Sequence, residues 1–254
     1  GVQLCTCWTH KKQLWLDTDG AQGANIVSTN SSFGIDRANC KSGQYPAWND
    51  IYNKMGEVGI LSAAATMNSS LDVDRVGDVP TSCASPYLVT VTNTKPNGKR
   101  SRAAYGQKSI DLAAPGERIM STTLGNSTGR LSGTSMATPH VAGAIAFLHS
   151  IASKPLLDLF KTEPGAAAQE LKAIMMDTVT LRPALKKETV SGGGWGIWDN
   201  KRMSFNTQSV NRLLANSSNA EDASNDNRID FLSNGFKVRT SSGSFNQDAT
   251  TILY

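Results

Sequence analysis

Short apolar runs, alternating with helical stretches and polar loops, most restrict what this chain can fold into. Residues 24–34, "ANIVSTNSSFG", read as a buried strand ending in a small-residue loop. "VGILSAAA" and "YLVTVTNT" read as two more buried strands, and "SIDLAAPG" and "RIMSTT" as two short ones. Residues 46–57, "PAWNDIYNKMGE", open on proline and carry apolar residues at helical spacing, which predicts a helix. Two further helices are predicted, one after Ser135 and one at about 165–178, "GAAAQELKAIMMDT". Strands separated by helices in this way predict an α/β layer fold with a mostly parallel sheet and flanking helices.

The totals are compatible with that fold. At 254 residues the chain has room for one large domain or two small ones. Apolar content is 39% and charged content 18%, ordinary for a folded protein. No apolar run approaches the roughly 20 residues that cross a bilayer, and "GVQLCTCWTH" lacks the layout of a secretory signal. A membrane role is therefore not expected. The net charge of +4 is scattered. Its densest run, "KPNGKRSR" at 95–102, holds a Pro-Asn-Gly turn signal and no aromatic residue, so it reads as a solvated hairpin tip and not a nucleic-acid patch. Cys5 and Cys7 have the wrong spacing for a zinc pair. Cys40 and Cys83 either form one disulfide in an exported protein or stay free thiols.

"LSGTSMATPHVAGAIAFL", 131–148, places Ser135 at the start of a predicted helix. Gly133 permits close backbone approach, and Pro139 is tolerated in the first turns. A helix N-terminus offers unpaired N–H groups and the positive end of a dipole, which a developing oxyanion needs. Taken alone, a serine there is more simply an N-cap.

The longer string "SGTSMATPHVAG" resembles the serine motif of the subtilases, the subtilisin-like serine peptidases. Upstream, "IDLAAPGERIMSTT" resembles the strand and turn that lead to that serine. "VGILSAAATMN" is similar to the oxyanion-hole strand, with Met67 in place of the usual glycine and Asn68 in register. "GDVPTSCASPYLVTVTNT" is similar to exported subtilases of the Bacteroidetes type. The resemblance covers about residues 20–193. It implies a subtilisin-like fold, a secreted protein and a peptide or protein substrate. Ser135 would be the nucleophile, and its own N–H with the Asn68 side chain would hold the oxyanion. Ser32, Phe33 and Gly34, with Ala64, Ala65 and Thr66, would line the substrate cleft and bind a peptide as an added strand.

A serine nucleophile needs a base. His140 lies five residues after Ser135, roughly 140° around a helix axis and about 7.5 Å along it, so its ring is out of reach. His149 is about 21 Å along the same helix. His10, in "CWTHKKQ", lacks the glycine-rich setting of the family's histidine. "WLDTDG" imitates the family's aspartate signature at Asp17, but the resemblance places it at the end of a helix before the "ANIVSTNSSFG" strand, and it reads as a turn. The expectation is a subtilase without its N-terminal Asp and His motifs, completed by a missing N-terminal portion or by a homo-oligomer.

After the glycines of "SGGGWGIWDN" the helix signals stop. This divides the chain into a partial catalytic domain, 1–193, and a β-rich module, 194–254. Two alternating runs around Ser233-Asn234-Gly235 predict a hairpin, with a third strand at 250–254. The tail resembles a structural module of phage tail and virion proteins, which suggests a chimera. Trp195 and Trp198 read as packing residues.

No cofactor is implied. Calcium is the one metal to weigh, at Asp72, Asp74 and Asp78, and a solvated acidic loop is the simpler reading. Two functions follow. One is a serine hydrolase cleaving peptide bonds, and also small activated esters, through Ser135. The other is a catalytically incomplete or chimeric scaffold acting at most as a binding or structural protein.

Overall fold

The computed structural model describes residues 2–40, 44–194, 227–232 and 235–240. The chain divides into two compact units, 1–216 and 217–254. The first is built on a six-stranded sheet. In chain order its strands are β1 (Ser28–Ser31), β3 (Leu61–Ala65), β5 (Leu88–Thr94), β6 (Leu112–Pro115), β9 (Thr180–Leu181) and β10 (Gly193–Gly194). Their spatial order is β1-β3-β5-β6-β10-β9. Every neighbouring pair is parallel except β9 with β10. The mixed α/β architecture and mostly parallel sheet agree with the sequence reading. β3 and β5 are buried at every residue, which is why they read as near-continuous small and apolar runs.

Alternation along these strands feeds two cores. Leu61, Ala63, Val89, Val91, Leu112 and Ala114 pack against the helices α4 (Thr134–Ser150) and α6 (Pro164–Asp177). α6 buries Ala167, Ala168, Leu171 and Met175, a stripe at i, i+4 and i+8 that suits one helical face. Met175 is fully buried in this cluster. Met175→Ala is therefore expected to lower unfolding free energy by about 2–5 kcal/mol, read from urea denaturation.

Ala64 and Leu88 belong to the second core, with Tyr52 and Met55 of α2 (Pro46–Glu57). Trp8 and Leu16 of α1 (Val2–Asp17) pack against it. The predicted helix at 46–57 is thus present with the same bounds. α1 is the helix that the resemblance places before the "ANIVSTNSSFG" strand, while α5 (Lys154–Thr162) was not anticipated. The segment "GVQLCTCWTH" is helical from Val2 because it opens α1. Lys12 of that helix is buried, donates to Asn25 Oδ1, and lies 4.7 Å from the Trp15 ring centroid. Burial pushes its ammonium down to about 8.

Asp17 closes α1, and Gly20 N–H returns to Trp15 O at 2.8 Å, so "WLDTDG" forms a turn. "KPNGKRSR" forms a tight return, with Gly98 N–H on Lys95 O and a Thr94–Arg100 bridge. Arg100 pairs with Glu188 at 3.1 Å, so part of that basic run serves the fold.

Three two-stranded pieces complete the description. β2 (Ile35–Asp36) and β4 (Asp78–Val79) form an antiparallel ribbon. β7 (Ile119–Thr123) and β8 (Ser127–Leu131) form a hairpin ahead of α4. In the second unit, β11 (Asn227–Leu232) pairs antiparallel with β12 (Gly235–Thr240), and the register ends on Leu232 opposite Gly235. That is the hairpin read from the sequence. The strand expected at 250–254, Trp195 and Trp198 lie outside the described residues. Cys40 and Cys83 are joined in a disulfide. Among the described residues, no helix is long and apolar enough to cross a membrane.

Candidate active site

The site begins at a glycine. Gly133 precedes α4 with φ +156, and its N–H donates to Gly116 O at 2.8 Å. A Cβ at Gly133 would stand 3.1 Å from Asn68 Oδ1. A side chain there would push Asn68 back by a few tenths of an ångström, so glycine lets the start of α4 close onto Asn68. Asn68 then caps the helix from outside its own chain segment. Its Oδ1 accepts the Thr134 N–H at 2.9 Å and the Thr134 hydroxyl at 3.1 Å. The single Thr134 hydroxyl proton is shared between that oxygen and Thr66 O. With Oδ1 committed to Thr134, the amide orientation is fixed, and the two Nδ2 donors are left for a ligand.

Ser135 follows as the second residue of α4 and is half-buried. Its N–H belongs to the first helical turn, where no intrahelical acceptor exists. Its hydroxyl donates to Ser32 O at 3.4 Å, a long and weak bond that leaves Oγ free to reorient.

The carbonyl of Ser135 is decided by Pro139. Proline has no N–H to return to the residue four positions earlier. That residue is Ser135, and the Ser32 hydroxyl donates to its carbonyl at 3.0 Å instead. A proline inside the helix thus ties the end of β1 to the start of α4. Ser32 is in turn held by the Asn30 amide at 3.0 Å.

These groups border a cavity of about 230 Å³. Ser32, Phe33 and Gly34 line one side, and Ala65, Thr66 and Asn68 another, with Ser135 at the edge. Of the cleft residues named from sequence, only Ala64 is not on its wall. Its side chain alternates to the opposite face of β3 and is buried against Tyr52 and Met55.

Asp36 and Asp78 also line the cavity; sequence reasoning missed Asp36 and weighed Asp78 only as a calcium ligand. They face each other in the β2–β4 register. Asp78 is 1% exposed, and its Oδ2 accepts from the Thr66 hydroxyl (2.7 Å), the Thr81 hydroxyl (2.7 Å) and the Met67 N–H (2.9 Å). Burial pushes its carboxyl above the ordinary carboxylate range; those three bonds oppose the shift, and the Asp36 charge adds to it.

The reading of Asp72, Asp74 and Asp78 as one acidic loop is corrected here. Asp72 caps the short helix α3 (Val73–Val76) by accepting the Asp74 N–H, Asp74 accepts the Lys108 N–H, and Asp78 turns inward. The three do not converge, and among the described residues no group of three His, Cys, Asp or Glu side chains could hold a metal ion.

The histidines stay apart from Ser135. His10 is exposed on α1. His140 Nδ1 bonds Met136 O at 2.8 Å within its own helix, and burial lowers its pKa. His149 packs against Phe160 with centroids 4.7 Å apart and the rings tilted by 59°, and burial lowers its pKa too.

A serine at a helix start, a facing asparagine amide and an adjoining cleft make an arrangement suited to acyl transfer. The sequence model of the subtilase family matches residues 7–232. The chain belongs to the subtilase family. Subtilisin-like protease 6 of Arthroderma benhamiae is 33% identical over 139 residues, which are 54% of this chain and 32% of that protein. Alkaline protease 1 of Aspergillus clavatus is 38% identical over 104 residues, 40% of this chain and 25% of that protein. The chain spans about a third of the length of the first of these relatives.

Solved structures share the fold. A structure of the subtilase cytotoxin SubAB superposes with a TM-score of 0.52 at 21% identity, covering 74% of this chain and 61% of that one. The epidermin leader peptide processing serine protease of Staphylococcus aureus gives 0.54 at 20% identity, covering 71% and 50%.

Proposed function

We propose that this subtilase chain carries the nucleophile and oxyanion site of a subtilisin-type serine peptidase acting on peptide or protein substrates. The observation that carries the reading is the Asn68–Thr134 cap, which holds the Asn68 amide beside Ser135 with its donors uncommitted. In this reading Ser135 Oγ attacks the substrate carbonyl carbon. The oxyanion is held by the Ser135 N–H and Asn68 Nδ2. The hydroxyl proton passes to a base and then to the departing amine as the C–N bond breaks. Water releases the acyl group from Ser135 by the same steps. Ser32, Phe33, Gly34, Ala65 and Thr66 border the peptide.

His140 is bonded within its own helix and His149 packs against Phe160, which supports a base other than these histidines. It is brought by another polypeptide segment. Until it is supplied, hydrolysis rests on the oxyanion site and binding, which alone sustain roughly 10³–10⁴-fold over water in triad enzymes. Small activated esters, whose leaving groups need no protonation, are the substrates this half-site handles best. The Cys40–Cys83 disulfide supports an exported protein.

The test is labelling of the folded chain with a fluorophosphonate, followed by peptide mass mapping. A slow phosphonyl adduct on Ser135, driven by the oxyanion site without a base, is the expected result. A folded sample with no adduct after prolonged exposure would leave the second reading, a subtilase scaffold without peptidase activity.

A further inference from the structure

The cavity beside Ser135 ends on a carboxylate that the proposed chemistry does not use. Asp78 is 1% exposed, yet no Lys or Arg pairs with it among the described residues. A buried carboxylate without a cation is costly unless something compensates it. Thr66, Thr81 and the Met67 N–H compensate only Oδ2. None of these bonds reaches Oδ1. Asp36, directly across the β2–β4 ribbon, adds a second negative charge to the same wall. Among the described residues, no lysine, arginine or histidine lines the cavity. Its volume of about 230 Å³ lies below the range of roughly 300–1,000 Å³ that holds drug-sized ligands, so it suits one side chain.

We propose that this cavity receives a lysine or arginine side chain of the substrate, with Asp78 as its charge partner and Asp36 reinforcing the potential. The inference rests on the reading of Ser135 as the nucleophile, since that fixes which substrate residue enters: the one whose carbonyl Ser135 attacks. A cation there meets an anion already desolvated, so the ion pair forms where water screens it least. The hydroxyls of Thr66 and Thr81 hold the carboxylate in place before the substrate arrives. A neutral side chain of the same shape leaves the charge unpaired, and the preference comes from that asymmetry.

Benzamidinium and benzamide have nearly the same shape and differ in charge. Their dissociation constants for the purified chain can be measured by ligand titration in NMR, with no catalysis required. Wild type is expected to favour benzamidinium by about tenfold or more. In Asp78→Asn, whose amide oxygen still accepts from Thr66, Thr81 and Met67, the preference is expected to collapse to about twofold or less. Equal binding of the two compounds by wild type overturns the proposal. So does a preference that survives in a folded Asp78→Asn variant. Should that variant fail to fold, a crystal structure of wild type with benzamidinium decides: an amidinium on the Asp78 carboxylate supports the proposal, and one bound elsewhere overturns it. A failure of fluorophosphonate labelling with benzamidinium binding intact would count against the nucleophile and not against the cation pocket.

Discussion

Ser135→Ala is expected to abolish fluorophosphonate labelling of the folded chain altogether. The adduct forms through Oγ, which the substitution removes. The Ser32 hydroxyl, which also borders the cavity, is committed to the Ser135 carbonyl. Fold damage should be small. The Oγ bond to Ser32 O is long at 3.4 Å, and the Ser135 carbonyl keeps its partner. Ser150→Ala is the control, since Ser150 sits exposed at the far end of the same helix and bonds only Phe147 O. It should label like wild type. Labelling that persists in Ser135→Ala would assign the reactive group to another residue.

Asn68→Ala has the second largest expected effect, a fall in labelling rate of about 10²–10³-fold, the usual result of deleting one oxyanion donor. The substitution also removes the cap on α4, which costs about 1 kcal/mol. Asn68→Asp separates the two roles. A carboxylate still accepts the Thr134 N–H and suits the positive end of the helix. It has no donor for an oxyanion and brings a like charge beside one. Asn68→Asp should therefore melt close to wild type and label at least as slowly as Asn68→Ala. Normal labelling by Asn68→Asp would show that Asn68 serves only as a cap.

Much of the frame was legible because burial writes itself into composition. β3 and β5 are buried throughout, so "LSAAA" and "LVTVTNT" carry little besides small, apolar and threonine residues. α2 declares itself by Pro46 at its start and by Tyr52 and Met55 on its inner face. α1 was legible only through the resemblance: its tryptophans are spaced among polar residues, and it is buried only by docking on α2 and the sheet. α5 does carry an apolar stripe, Leu156, Leu159 and Phe160, but at 9 residues it is shorter than the window over which helical periodicity separates from a strand.

The site divides along the same line. By itself the sequence determined the local chemistry: the motif that sets Ser135 at a helix start, the glycine before it, and the absence of a base at workable helical spacing. Those follow from covalent neighbours and helix geometry. Tertiary structure alone decided what surrounds that serine. Asn68 caps a helix whose first residue lies 66 positions away, and Ser32 satisfies a carbonyl 103 positions away. It also decided the fate of the acids. Asp72, Asp74 and Asp78 look alike along the chain, yet one caps a helix, one accepts a loop amide, and one is buried in the cavity. The difference comes from the pairing of β4 with β2, which turns Asp78 inward against Thr66 and Thr81. No local pattern encodes a pairing between strands of two residues, because so short a strand has no periodicity to read.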